Sequence, residues 1–287
     1  MNDVRQWWPA PAKLNLFLHV TGQRADGYHL LQTVFQFLDY GDRIAFDERS
    51  DGQVHRVSGL SNVAEEDDLV VRAARLLQKA ANVSLGVDIH VQKNLPVGGG
   101  LGGGSSDAAT VLLALNHLWQ AGLPIAQLAE LGLVLGADVP VFVQGHAAWA
   151  EGVGEKLLAV DLSEPWYLVI IPPCQVPTAR IFADPGLTRD CHPITIEGFL
   201  SGQGANVCEP IVRKAFPEVA EAMDWLSGFA DKSLDVCRMS GTGACVFAAF
   251  ADAGIAREVY QQLPQSWRGF VAKGMNYSPV TAMLQDG

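Results

Sequence analysis

Residues 96–106 run Pro96, Val97, Gly98, Gly99, Gly100, Leu101, Gly102, Gly103, Gly104, Ser105 and Ser106, six glycines in eleven positions. Glycine loses more conformational freedom on folding than any other residue, so a run this dense is kept for backbone freedom or for the lack of side chains. The stretch that follows places Ala108, Val111, Leu112, Leu115, Leu118 and Trp119 at helical spacing, which predicts one buried helix face. Ser105 or Ser106 is the natural N-cap. A glycine loop that runs into a helix start presents unpaired N–H groups at the positive end of a dipole, the ingredients of a phosphate cradle.

Two known phosphate loops can be compared with it. A P-loop needs Lys and then Ser or Thr directly after its last glycine, whereas Gly103 is followed by Gly104 and Ser105. The dinucleotide spacing G-x-G-x-x-G is met by Gly98, Gly100 and Gly103, but a run of glycines meets almost any glycine spacing. A dinucleotide site also wants an acidic residue about 20 positions on, and no carboxylate lies between Asp107 and Glu130. The next pattern is a second helix over Ile125 to Leu135, not a crossover strand.

At 287 residues, 49% hydrophobic and 18% charged, the chain has material for one large core or two medium ones. A net charge of −11 argues against a nucleic-acid partner, which asks for a basic footprint, and leaves room for a small nucleotide in a locally basic pocket. No apolar run approaches the length that spans a bilayer and no apolar signal core opens the sequence, so the expectation is a cytoplasmic protein without a membrane partner. Cys174, Cys191, Cys208, Cys237 and Cys245 are odd in number and none forms a C-x-x-C pair, which predicts reduced structural thiols.

Hydrophobic patterning supplies the frame. Leu14 to Val20, Val34 to Leu38 and Ile44 to Phe46 read as a β meander, and Val87, Ile89 and Val91 as a half-buried strand leading into the glycine loop. Asp67 to Ala81 reads as a helix. Asp138 falls between the Ile125 helix and a strand over Val139 to Val143. Beyond residue 160 the pattern restarts, with a strand at Trp166 to Ile171, helices at Cys208 to Phe216 and Val219 to Leu226, and a strand at Ala244 to Phe250. Glu258 to Leu263 closes a further helix, and Gly269 to Lys273 reads as an edge strand. Strands and helices without regular βαβ alternation predict an α+β protein in two domains.

Three segments now stand in order: Pro11-Ala12-Lys13-Leu14-Asn15-Leu16, the glycine run, and Gly241-Thr242-Gly243-Ala244. They resemble the three motifs of the GHMP kinase superfamily. Gly22-Gln23-Arg24-Ala25-Asp26-Gly27-Tyr28-His29, Gly136-Ala137-Asp138-Val139-Pro140 and Gly145-His146-Ala147 are similar to the branch that acts on a cytidine-diphosphate-linked methylerythritol. The similarity covers nearly the whole chain, and only Thr188 to Gly204 carries no motif.

The resemblance implies an ATP-dependent kinase for the 2-hydroxyl of the methylerythritol moiety, in the non-mevalonate route to isoprenoid precursors, with ATP and Mg2+ as cofactors. It implies a two-domain GHMP kinase fold, a ribosomal-S5-domain-2-like half over residues 1–160 and a ferredoxin-like half over residues 161–287, with both substrates in the cleft between them. A superfamily kinase for mevalonate, homoserine or a sugar is the alternative.

Carried onto this sequence, the resemblance makes Lys13 and Asp138 the catalytic pair. Asp138 takes the hydroxyl proton, a role that typically contributes 10² to 10⁴-fold. Lys13 places a positive charge beside Asp138 and the attacking oxygen, which keeps the carboxylate ionised and favours a developing alkoxide. The loop from Pro96 to Ser106 wraps the triphosphate, with Ser105 or Ser106 as a hydroxyl donor, and Gly241, Thr242 and Gly243 shape the far wall of the phosphate site. Tyr28 and Phe182 take the two faces of the cytosine and His29 its edge, with stacking worth about 1–3 kcal/mol. Asn15 binds the erythritol hydroxyls or holds Lys13, and Phe35 packs. The magnesium ligands stay unspecified apart from Ser105, and Asp107 either tunes the phosphate site or caps the helix dipole.

Overall fold

The computed structural model describes residues 5–59 and 63–285. Its strands are β1 (Trp8–Gln23), β2 (His29–Arg49), β3 (Val54–Ser58), β4 (Gly86–Gln92), β5 (Ala148–Gly152), β6 (Lys156–Ala159), β7 (Trp166–Ile171), β8 (Arg238–Met239), β9 (Val246–Phe250) and β10 (Arg268–Met275). The helices are α1 (Leu69–Ala80), α2 (Gly103–Leu118), α3 (Ile125–Leu135), α4 (Val139–Gln144), α5 (Thr178–Ala183), α6 (Ile196–Leu200), α7 (Glu209–Ala215), α8 (Pro217–Ser227), α9 (Ala253–Tyr260) and α10 (Pro279–Gln285).

Strand β2 organises the sheet. It pairs antiparallel with β1 along one edge, across a turn in which the Arg24 N–H donates to the Tyr28 carbonyl at 2.7 Å. Along its other edge β5 takes residues 31–35, β10 takes 37–38 and β4 takes 43–49. The ladder continues through β10, β7, β9 and β8, so strands from both halves of the sequence share one sheet. Strand β3 runs parallel to β4, which makes the sheet mixed. The α+β expectation is borne out.

Among the described residues four apolar clusters hold this frame, a small one of Phe17, Val34 and Trp149 and three larger. The first packs Phe37, Ile44 and Ile89 of the sheet against Leu77, Leu112 and Phe142 of the helices, and α10 returns to it through Val280. The second gathers Leu168, Ile170, Val212, Met223 and Phe250. The third lies between them, where Ala12, Leu14, Leu38 and Leu101 meet Val169, Cys245, Phe247 and Ala272. Leu14 and Leu38 are fully buried there, and each such side chain contributes about 1.5–3 kcal/mol.

Five expectations change. The meander strands Val34 to Leu38 and Ile44 to Phe46 are one continuous strand, β2. Val139 to Val143 is the helix α4, not a strand; Pro140 sits in its first turn and every residue from Val139 to Val143 is buried. A short apolar run buried on all sides looks the same in sequence whether helical or extended, and proline at a helix start needs no N–H partner. Strand β10 is central, not an edge, because its buried residues Phe270, Ala272 and Gly274 face the joint while β2 and β7 occupy its flanks. Helix α2 is buried on every side from Ser106 to Leu115 instead of along one face, and Leu118 is 39% exposed. Its N-cap is Gly102, so Ser105 and Ser106 lie inside the first turns. All five cysteines are unbridged. Among the described residues no helix is long and apolar enough to cross a membrane.

Candidate active site

The glycine loop takes its shape from contacts with all three sequence motifs. Gly102 has φ +72°, and a Cβ there would stand 2.9 Å from Phe142 Cζ and 3.0 Å from Lys13 Cε. Glycine alone meets both demands, and it starts α2 without a side-chain cap. The first-turn N–H groups therefore have no capping side chain over them and open toward the loop. At Gly100 a Cβ would fall 2.1 Å from the Ser240 carbonyl oxygen. Ser240 Oγ donates to the Gly100 carbonyl at 2.7 Å, the Cys245 N–H to that of Gly99 at 3.1 Å, and the Lys13 N–H to that of Leu101 at 2.9 Å.

Lys13 is 3% exposed on β1, with its ammonium at the floor of a cavity. Nζ lies 2.5 Å from Asn15 Oδ1, 3.2 Å from the Gly100 carbonyl oxygen and 3.2 Å from Asp138 Oδ2. The first two are hydrogen bonds and the third is an ion pair. The Phe35 ring packs beside it, centroid 5.2 Å from Nζ. Asp138 is the N-cap of α4 with its side chain 35% exposed to the same cavity. Asn15 Nδ2 donates to Thr33 Oγ1 at 3.0 Å and its backbone N–H to Ser240 Oγ at 3.1 Å. Of its two expected roles, the geometry supplies the holding of Lys13.

Two cavities meet at the loop. The smaller, about 360 Å³, is lined by Leu69, Val70, Val91 and Lys93 together with Pro96 to Gly100 and Gly102 to Ser105. The larger, about 1030 Å³, contains Lys13, Asp138, Tyr28, His29, Phe182 and Gly241 to Gly243. Gly98, Gly100, Gly102 and Ser105 belong to both walls. Leu101 points into the third apolar cluster and Ser106 is fully buried with its hydroxyl unpartnered, so of the two serines only Ser105 reaches the cavities. Gly241, Thr242 and Gly243 border the larger cavity, with Thr242 Oγ1 2.9 Å from Thr178 Oγ1.

Beneath the smaller cavity, Lys93 Nζ pairs with Asp42 and, at 2.7 Å, with Asp107 Oδ2. Asp42 Oδ1 also accepts from the N–H groups of Asn94 and Leu95 at 2.6 and 2.8 Å, which fixes the chain just before Pro96. Burial pushes Asp107 up to about 7 against the opposing pull of Lys93, while Asp107 and Asp42 outweigh burial and raise Lys93. Asp107 is thus one member of a buried ionic cluster under the loop, a role richer than capping a dipole.

In the larger cavity the Phe182 ring stacks on His29, centroids 5.0 Å apart and planes 23° apart. Tyr28 is 65% exposed at the rim. Arg189 was missed by sequence reasoning because it lies in the stretch without a motif; its Nε approaches His29 Nε2 at 3.2 Å. Lys93 and Ser240 were missed as well, although each stands within three residues of a motif, a proximity that could have flagged them.

Two family models match the chain, GHMP kinases N terminal domain over residues 68–146 and GHMP kinases C terminal over residues 196–269. The 4-diphosphocytidyl-2-C-methyl-D-erythritol kinase of Nitrosococcus oceani is 58% identical over 278 residues, which cover 97% of this chain and 98% of that protein. The chain belongs to the 4-diphosphocytidyl-2-C-methyl-D-erythritol kinase family of GHMP kinases. The Halorhodospira halophila member of this family is 56% identical over 288 residues, 99% of this chain and 98% of its own. A crystal structure of a 4-(cytidine 5'-diphospho)-2C-methyl-D-erythritol kinase superposes with a TM-score of 0.81 at 34% identity, over 94% of this chain and 99% of the other. The Methanococcus jannaschii mevalonate kinase structure, at 15% identity and a TM-score of 0.68 over 96% and 100% of the two chains, shares the fold of the family.

Proposed function

We propose that this protein transfers the γ-phosphoryl group of ATP to the 2-hydroxyl of 4-diphosphocytidyl-2-C-methyl-D-erythritol, a step toward isoprenoid precursors. One observation carries the reading: the Lys13–Asp138 pair, 3.2 Å apart, sits where two cavities share the wall of a glycine loop. The smaller cavity takes the nucleotide, its base against Leu69, Val70 and Val91 and its phosphates along the first turn of α2. The larger takes the acceptor, with its pyrimidine toward Tyr28, His29 and Phe182.

Phosphoryl transfer asks for alignment, charge neutralisation and removal of one proton. Asp138 Oδ2 faces Lys13, which leaves Oδ1 to accept the hydroxyl proton as the acceptor oxygen attacks the γ-phosphorus and ADP departs. Lys13 balances the negative charge that gathers between oxygen and carboxylate. Asn15 and the Gly100 carbonyl hold the ammonium in place, so it need not reorganise during transfer.

Magnesium suits the donor set. Mg2+ takes one or two protein oxygens and fills its octahedron with phosphate and water, and among the described residues no cluster of three metal-binding side chains is present. The Ser105 hydroxyl, which borders both cavities, fits such an ion; Asp107 lines the smaller cavity with Oδ2 paired to Lys93 and Oδ1 without a partner. When bound, the ion would neutralise phosphate charge. A cytoplasmic setting agrees with the five unbridged thiols.

The test incubates the protein with ATP, magnesium and a panel of alcohols that includes mevalonate, homoserine, galactose and the cytidyl substrate, and follows ADP release. Turnover confined to the cytidyl substrate is expected. Equal turnover of an acceptor without a pyrimidine would defeat the reading.

A further inference from the structure

Arg189 touches the acceptor cavity without any part in phosphoryl transfer. Its Nη1 donates to the Leu187 carbonyl at 3.1 Å, and its Nη2 donates to the carbonyls of Phe182 and Asp184, both at 2.8 Å. The hydrogen on Nε points at His29 Nε2 across 3.2 Å and across 160 positions of sequence. A guanidinium nitrogen offers hydrogens and no acceptor lone pair, so His29 Nε2 is the acceptor in this contact. A neutral imidazole carries a single N–H, which this arrangement assigns to Nδ1. Burial and the charge of Arg189 both lower the His29 pKa, which keeps the ring neutral.

The same arginine fixes the plane of the ring. His29 stacks on Phe182, and the backbone carbonyl of Phe182 is bonded to Arg189. One side chain therefore sets the tautomer of His29, through Nε2, and the position of the aromatic platform against which the imidazole lies. Among the described residues the Nδ1–H of His29 has no protein partner, and His29 lines the acceptor cavity.

We propose that Arg189 is a positioning residue for base selection, holding His29 as a fixed Nδ1–H donor to the pyrimidine of the acceptor. The proposal rests on the cytidine-linked substrate reading given above. Cytosine presents acceptors at both N3 and O2, whereas uracil carries a hydrogen at N3. O2 accepts in both bases, so the discrimination is made at N3, where a locked donor pairs with the first base and meets a second donor on the other. Sites built to hydrogen-bond one partner reject its mismatched analogue strongly, because the buried polar groups are left unpaired.

Two measurements test it. In the whole protein without ligands, nitrogen-15 NMR of the His29 ring is expected to show a pyrrole-type Nδ1 and a pyridine-type Nε2; the opposite tautomer, or an even mixture, overturns the proposal. In Arg189→Met, the ratio of kcat/KM for the cytidine-linked alcohol over its uridine-linked analogue is expected to fall about tenfold or more, with KM for ATP unchanged. An unchanged ratio in a folded Arg189→Met protein overturns it too. A wild-type protein that ignores the cytidyl substrate would sink the functional reading instead, and the tautomer measurement, which needs neither substrate nor variant, tells the two failures apart.

Discussion

Ser240 donates its hydroxyl hydrogen to the Gly100 carbonyl at 2.7 Å, which ties a turn of the C-terminal half to the glycine loop of the N-terminal half. The same oxygen accepts from the Asn15 N–H, so one fully buried atom links the loop, the strand that carries Lys13 and the Gly241 turn. Ser240→Ala is expected to cost about 1–3 kcal/mol of stability, the usual result of leaving a buried polar group unpaired. KM for ATP should rise with it. Chemical denaturation and steady-state kinetics check both, and a variant as stable as wild type would remove the link from the account.

Asp138→Asn keeps the shape of the side chain and removes its ability to take a proton. Turnover is expected to fall by roughly 10² to 10⁴-fold, with ATP affinity held within about twofold because the carboxylate does not border the smaller cavity. Lys13→Met should slow turnover to a similar degree, since it deletes the charge and strands three acceptors. Rapid-quench measurement of the chemical step checks each, and full turnover in either variant removes that residue from the mechanism.

Gly102→Ala places a methyl within 3.0 Å of Phe142 and Lys13 at a backbone φ of +72°. The backbone term alone costs about 1–2 kcal/mol, and the displaced Lys13 should slow turnover further. Gly98→Ala is the control for conformation without crowding, because Gly98 has φ +71° and nothing within 4 Å of its added Cβ. Thermal midpoints of the two variants separate the contributions, and identical losses would show that crowding adds nothing.

Asp107 makes stability depend on pH with a defined sign. Its carboxyl titrates at about 7 in the folded protein against 3.8 for the free group, so between those values the native state holds a proton that the unfolded chain has lost. The associated stability is present below about pH 4 and is lost as pH rises through about 7. Wild type should therefore lose ground to Asp107→Asn between pH 5 and pH 8. Urea midpoints at the two pH values decide it, and parallel behaviour of the two proteins would contradict the assignment.

Lys13 and Asp138 were brought together only by the resemblance, since each alone reads as a strand-end lysine or a turn aspartate, whereas the glycine loop stood out by its own composition. The helix α4 was not legible, since burial on all sides erases the periodicity that separates helix from strand. The centrality of β10 was hidden for a related reason: sequence shows that a strand alternates, not which neighbours flank it. Tyr28, His29 and Phe182 were assigned to one site from the resemblance, but the stacking of His29 itself on Phe182 was not foreseen. Arg189 left no trace, because a hydrogen bond spanning 160 positions has no local pattern. The cluster of Lys93, Asp42 and Asp107 escaped for the same reason; its members come from within β2, from the end of β4 and from α2.

Strand β2 has a mechanical consequence for the catalytic cycle. Two-lobed enzymes that clamp their ligands swing about a few hinge residues between the lobes. Here strands from the two halves of the sequence are joined edge to edge, Leu38 and Phe37 of β2 against Gly274 and Met275 of β10, with an apolar seam behind the joint. Swinging them apart would tear a ladder and expose that seam. The frame is therefore expected to keep the distance from the glycine loop to the Gly241 turn when ligands bind. Admission of ligands falls to the rim, where the exposed ring of Tyr28 stands on the turn between β1 and β2.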